Sequence, residues 1–179
     1  MQSFIDIETY SPLDLAAVGA DAYSRSAELL LCCWAVDDGP VRQWQIGDDV
    51  EVLVDGLNGL WAAHELVAHN APFERRLLNA TVGFSSEPED WLCTMAVALA
   101  HSLPASLDAL CSFYGLDEDK AKSKEGKALI RLFCRPQPRT GLRVMPENRP
   151  DEWRRFIDYC RSDVIALREI YGRLPRVNM

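Results

Sequence analysis

Asp6 and Glu8 stand two residues apart in the otherwise apolar stretch FIDIET, residues 4–9. In an extended strand alternate side chains share a face, so Phe4, Asp6 and Glu8 point one way and Ile5 and Ile7 the other. Two carboxylates at that separation repel each other unless a positive charge lies between them, and a divalent cation meets that need. An edge strand with a solvated outer face would carry the same residues. The spacing recurs at Asp49 and Glu51, where the chain reads as a turn and the start of a helix. Glu74 lies in HNAPFER, in the first turn of a helix opened by Pro72, where the helix dipole favours a carboxylate. Asn70 just ahead of it reads as an N-cap. Tyr159 and Asp163, four apart in YCRSDV, fall nearly on one side of a helix. They flank its apolar stripe, which suits a hydrogen-bonded structural pair as well as a site. Tyr10 and Asp14 repeat that spacing.

The elements that would position these residues follow from periodicity. Residues 3–8 read as a strand, 9–25 as a loop with a short helix, and ELLLCCWAV (28–36) as a central buried strand. A turn at DDGP leads to VRQWQI (41–46), a hairpin partner, then a helix near 50–61 and a fourth strand at 65–69. Helices are expected at 71–80, 93–101, 106–114 and 124–134. Residues 135–150 are too rich in proline for regular structure and are expected to form a mobile loop. The final helix, 151–172, has an apolar stripe through Trp153, Phe156, Ile157, Cys160, Val164, Leu167, Tyr171 and Leu174. Strands followed by a strand–helix unit and then helices indicate an α/β domain with a mixed sheet.

A chain of 179 residues suits one domain, long enough to bury roughly 70% of its unfolded surface. No apolar run reaches the roughly 18 residues of a membrane span, and no basic stretch leads into a signal-type core, so a cytoplasmic protein with no membrane partner is expected. Six cysteines without a C-x-x-C pair argue for reduced, mostly buried thiols and against a zinc site or a disulfide framework. The net charge of −8 is unevenly spread: residues 120–143 hold eight basic side chains against one acid, a local +7 that leaves −15 elsewhere. That asymmetry fits one anion-binding face on an acidic body, and equally a solvated helix and loop.

Taken in order, D-x-E on the first strand, N-x-x-x-acid after the fourth and Y-x-x-x-D on the last helix resemble the three exonuclease motifs of the DEDD superfamily, tyrosine branch. FIDIETYS, AHNAPFERR, GKALIRLFC and FIDYCRSDV are similar, in this order, to the proofreading domain of phage and bacterial family A DNA polymerases, and the resemblance spans essentially the whole chain. It implies a ribonuclease H-like fold, a mixed five-stranded sheet with helices on both faces. Residues 1–179 would be a single exonuclease domain, either free-standing or the N-terminal part of a longer polymerase, in a bacterial or phage-infected cell. The implied activity is metal-dependent 3′–5′ hydrolysis of single-stranded or frayed DNA ends with two magnesium or manganese ions, releasing nucleoside 5′-monophosphates. Asp6 would bridge the ions, Glu8 and Asp163 would complete one site, Glu74 would hold the other, and Tyr159 would orient the attacking water. Thr9, Asn70 and Phe73 would contact the substrate strand, and Lys120, Lys122, Lys124, Lys127 and Arg131 its phosphates. The motif-two acid is usually aspartate; Glu74 is one methylene longer, a departure that matters because magnesium tolerates little distortion of its octahedron.

Other chemistries find less support. HELVAH holds two histidines five apart on a strand, where a zinc H-E-x-x-H helix needs them four apart, so His64, His69 and His101 read as structural. No G-x-S-x-G elbow is present. The alternatives are a catalytically weak or inactive nucleic-acid-binding domain of a polymerase, and a small exoribonuclease acting on short RNA. A monomer is expected.

Overall fold

The computed structural model describes residues 1–63, 65–116 and 120–175, and the side chains of all these except 63 and 120–123. His64 and the side chains of Lys120 and Lys122 therefore lie outside the described residues.

Strand β1 (Gln2–Tyr10) is the centre of the sheet. It pairs antiparallel with β2 (Glu28–Val36), which pairs antiparallel with β3 (Arg42–Gln45). On its other side it pairs parallel with β4 (Glu65–Ala68), and β4 pairs parallel with β5 (Trp91–Cys93). The order β3-β2-β1-β4-β5 is that of a ribonuclease H-like α/β domain. The expectation of a mixed five-stranded sheet holds. The fifth strand, however, falls where periodicity gave only a helix from 93, because three residues are too few to display alternation.

Alternation along β1 separates two cores. Ile5 and Ile7 face Leu53, Leu57 and Leu60 of helix α2 (Val50–Ala63) and Leu77 and Leu78 of α3 (Ala71–Val82). Tyr23, from α1 (Leu15–Ser24), joins that side. Phe4 faces Leu129 and Phe133 of α6 (Lys120–Phe133) and the stripe of α7 (Pro150–Arg173). On α7 the stripe is Trp153, Phe156, Cys160, Val164, Leu167 and Ile170, all buried, each large side chain stabilising the fold by roughly 1.5–3 kcal/mol. Two short helices, α4 (Thr94–Ala100) and α5 (Leu107–Phe113), pack Ala98 and Leu110 against Ile170.

Polar straps fix α7 across the sheet. Trp153 Nε1 donates to Gln45 Oε1 at 2.8 Å, Arg161 to Gln43 at 2.8 Å, and Arg168 to the carbonyls of Asp37 and Gly39 at 3.2 and 2.9 Å. Residues 135–149 lack regular structure apart from a 3-10 turn at Pro146–Asn148, Pro150 already opens α7, and the segment is anchored, not free. Arg143 forms an ion pair with Glu28 and lies 4.3 Å from the centroid of the Tyr10 ring. Proline content thus removed the helix without removing the tertiary contacts. Among the described residues no helix is long and apolar enough to cross a membrane.

Candidate metal centre

The pleat of β1 turns Asp6 and Glu8 toward α7, on the same side as Phe4. Register with β2 shifts between Glu8 and Thr9: Glu8 pairs with Leu31 and Thr9 with Leu29, so Leu30 is the extra residue of a β-bulge. The bulge lies at the end of the strand that carries the acids. Beyond it Thr9 is buried on the opposite side, its hydroxyl 3.1 Å from the Tyr23 hydroxyl. Asp163 approaches from α7, and one carboxylate oxygen from each of Asp6, Glu8 and Asp163 lies within 4.8 Å of the others.

No ion pair neutralises these acids among the described residues, and each carboxyl is held above its ordinary range. Burial pushes Asp6 up to about 7, opposed by the Cys160 thiol. Burial first, then the charges of Asp6 and Asp163, raises Glu8. Burial and then Asp6 raises Asp163, with Asp108 at the start of α5 adding to it and the Tyr159 hydroxyl opposing it. Glu74, near the start of α3, is 5% exposed, and its Oε2 has no hydrogen-bond partner. Burial and the charge on Asp6 hold it well above the usual carboxylate range. It stands outside the trio, yet its carboxyl lies within the field of Asp6. Three converging acids and a fourth with an orphaned oxygen, unpaired with any cation among the described residues, form a donor set of hard oxygens that fits magnesium or manganese.

Tyr159 lies one turn before Asp163 on α7, half-buried. Burial first, and then the charges of Asp163, Glu8 and Asp6, hold its hydroxyl far above the usual tyrosine range, so it keeps its proton. Two thiols that sequence reasoning treated only as buried sulfur reach the acids. The Cys160 thiol donates to Asp6 Oδ2 at 3.4 Å, and the Cys134 thiol to Glu8 Oε2 at 3.7 Å. The one legible sign was the place of Cys160 on the α7 stripe beside Tyr159, which puts it against the sheet face that carries Asp6.

Asn70 occupies the N-cap position of α3 but makes no side-chain capping bond, contrary to the simplest expectation from its place before Pro72. Its carbonyl accepts from the Phe73 amide at 2.7 Å, and the Asn70 side chain stays half-buried at the carboxyl end of β4. Phe73 is half-buried, its ring 6.2 Å from that of Tyr23. His69 is structural, with its ring nitrogens 3.0 Å from Thr94 Oγ1 and 2.8 Å from the Ala105 carbonyl. Of the basic residues, Lys124 and Arg131 are exposed on α6, while Lys127 is paired with Asp108 at 3.3 Å. Arg131 and Arg135, with Gln137, Pro136 and Pro138, line a groove at the C-terminal end of α6, next to Cys134.

No known family profile matches the chain. The DNA polymerase of Bacillus phage SP02 is 35% identical to it over 180 residues, covering 96% of this chain and 28% of the polymerase. The chain is similar to one segment of that enzyme. It spans little more than a quarter of the relative's length. Among solved structures, the family B DNA polymerase of the hyperthermophilic archaeon Pyrobaculum calidifontis superposes with a TM-score of 0.50 at 15% identity, over 94% of this chain and 24% of that one, a likeness of fold. A structure described as the apo form of a nuclease covers 96% of this chain and 70% of its own, with 17% identity and a TM-score of 0.48.

Proposed function

We propose that the chain is a metal-dependent 3′–5′ exonuclease domain of the DEDD type, tyrosine branch, that trims single-stranded or frayed DNA ends and releases nucleoside 5′-monophosphates. The observation that carries this reading is the convergence of Asp6, Glu8 and Asp163 within 4.8 Å, unneutralised, one helical turn from Tyr159. Similarity to a segment of a phage DNA polymerase supports DNA as the substrate and a polymerase module, in the same or another chain, as the partner.

Asp6, Glu8 and Asp163 would hold one divalent cation, and Asp6 with Glu74 a second. Two such ions would supply acidification of water and stabilisation of charge on the departing 3′ oxygen. The protein's own groups do the rest. The Tyr159 hydroxyl is hydrogen-bonded to Asp163 and from there would orient the attacking water. Asp163 anchors that hydroxyl. The Asn70 side chain makes no capping bond and would be available to the substrate strand, as would half-buried Phe73, whereas Thr9 is buried against Tyr23 on the other side of the sheet. Lys124 and Arg131 would meet phosphates, as would Lys120, Lys122 and Lys127.

A 5′-labelled single-stranded DNA incubated with the protein, with and without magnesium or manganese, tests this directly. The expected result is a ladder shortening from the 3′ end that chelator and Asp6→Ala both abolish. DNA that is bound but stays intact in either metal would leave a binding domain and remove the enzyme.

A further inference from the structure

Helix α6 buries one stripe, Gly126, Leu129 and Phe133, with Ile130 beside it. Glycine heads that stripe although it is a poor helix former, and no turn or positive φ asks for it there. What occupies the space is a ring. A Cβ on Gly126 would lie 2.2 Å from Cε2, 2.4 Å from Cδ2 and 2.9 Å from Cζ of Tyr159. The Tyr159 ring is nearly parallel to Phe156, at 8° with centroids 6.4 Å apart. Phe156 in turn is fully buried and stacked on Phe133, at 19° and 5.4 Å.

We infer that Gly126 is a positioning residue for Tyr159: its bare backbone is the surface against which the ring rests, with the hydroxyl delivered to Asp163. The inference rests on the proposed exonuclease reading and adds to it a residue on a different helix from the tyrosine. The contact is one-sided. Phe156 is immobilised in the core, so a methyl at position 126 leaves the half-buried ring only the outward path, by rotation about its side-chain bonds. That rotation carries the hydroxyl off Asp163. Alanine at this place favours the helix, which offsets much of the cost of moving the ring, while it displaces the group that orients water, so turnover is expected to fall far more than stability.

The test uses the full chain as wild type, Gly126→Ala, Tyr159→Phe and the double variant. Gly126→Ala is expected to lower kcat on single-stranded DNA by about 100-fold, the scale on which a small misplacement acts. KM should stay near that of the wild type, and the melting temperature should shift by only a few degrees, because the helix gain and the overpacking cost oppose each other. In the Tyr159→Phe background, where the hydroxyl is already absent, Gly126→Ala should cost little more, because the two act through one group. A Gly126→Ala variant with wild-type kcat, or losses that simply multiply, would overturn the inference. Incorporated 3-fluorotyrosine gives a readout that does not need turnover: the fluorine resonance missing from Tyr159→Phe should shift in Gly126→Ala. Should the wild-type chain cleave no DNA, the exonuclease reading fails, and the fluorine resonance still decides the contact. An unmoved resonance removes it.

Discussion

Asp6 has a place the other acids do not share, since its charge is a cause of the raised pKa of Glu8, Glu74 and Asp163 alike. Asp6→Asn keeps the shape and removes that repulsion. In chelator at pH 8 the variant should melt above the wild type, by about 2–4 °C for each ~1 kcal/mol of strain relieved, while losing turnover altogether. Thermal melts beside a cleavage assay check both halves, and a lower melting temperature would count against a mutually repelling site. Cys160 offers a finer probe. Its thiol donates to Asp6 Oδ2 at 3.4 Å, so Cys160→Ala leaves that carboxylate less fixed, whereas Cys160→Ser keeps a donor. Partners of this kind commonly cost 10-fold or more when lost, and roughly that loss of manganese affinity by titration is expected for alanine, with serine close to wild type. Equal affinities in all three proteins would reduce the thiol to filler.

Strand β1 and helices α3 and α7 meet at these acids, which makes their assembly sensitive to pH. Each carboxyl is raised in the folded state, so between the ordinary carboxylate range and neutral pH the folded protein binds more protons than the unfolded one. Stability without metal is therefore greatest in acid and is lost as pH rises through the folded values, about 7 for Asp6. In chelator the melting point should fall from pH 5 to pH 8 by roughly 5 °C or more, and millimolar manganese should restore it at pH 8. A melting point that rises over that interval would mean the acids are neutralised from within. At this scale much was legible. The alternation of β1 put Asp6 and Glu8 on one face, and the stripe of α7 put Tyr159 and Asp163 on one flank; that the two elements meet was implied by the resemblance of the three motifs, not by periodicity. Spacing alone was not enough, as its repeats show: Asp49 accepts from the Glu51 amide at 3.0 Å and Asp14 from the Ala16 amide at 2.8 Å, both in the service of helix starts. The short β5, the anchoring of residues 135–150 and the thiol contacts were not legible. Each depends on partners far away in sequence, which no local pattern encodes: Cys134 meets Glu8 across 126 residues.

Over the whole molecule, an acidic chain of net charge −8 would have to bring a polyanion to a nest of carboxylates. The basic residues of 120–143 resolve that conflict only in part, since several face acids of the body. Lys127 pairs with Asp108, Arg143 with Glu28, and Arg135 approaches Asp14 at 3.9 Å. The exposed pairs of Lys127 and Arg135 are weak and can be given up to a phosphate at little cost, whereas Arg143 is largely buried over Tyr10 and stays with the fold. Lys124 and Arg131, exposed on α6, are the clearest candidates for direct contact, and Arg131 leads into the groove shared with Arg135. On single strands each phosphate neutralised contributes about 0.7 to the slope of log affinity against log salt. Replacing Lys124 and Arg131 together by glutamine should therefore raise KM, leave kcat near wild type at saturating DNA, and lower the slope of log KM against log salt by about 1–1.5. The measurement is KM for a short single strand at several salt concentrations, in magnesium, for both proteins. A parallel pair of salt plots would place the DNA path elsewhere on the surface, and the +7 segment would then serve the fold, holding α6 and the proline-rich loop to the acidic body.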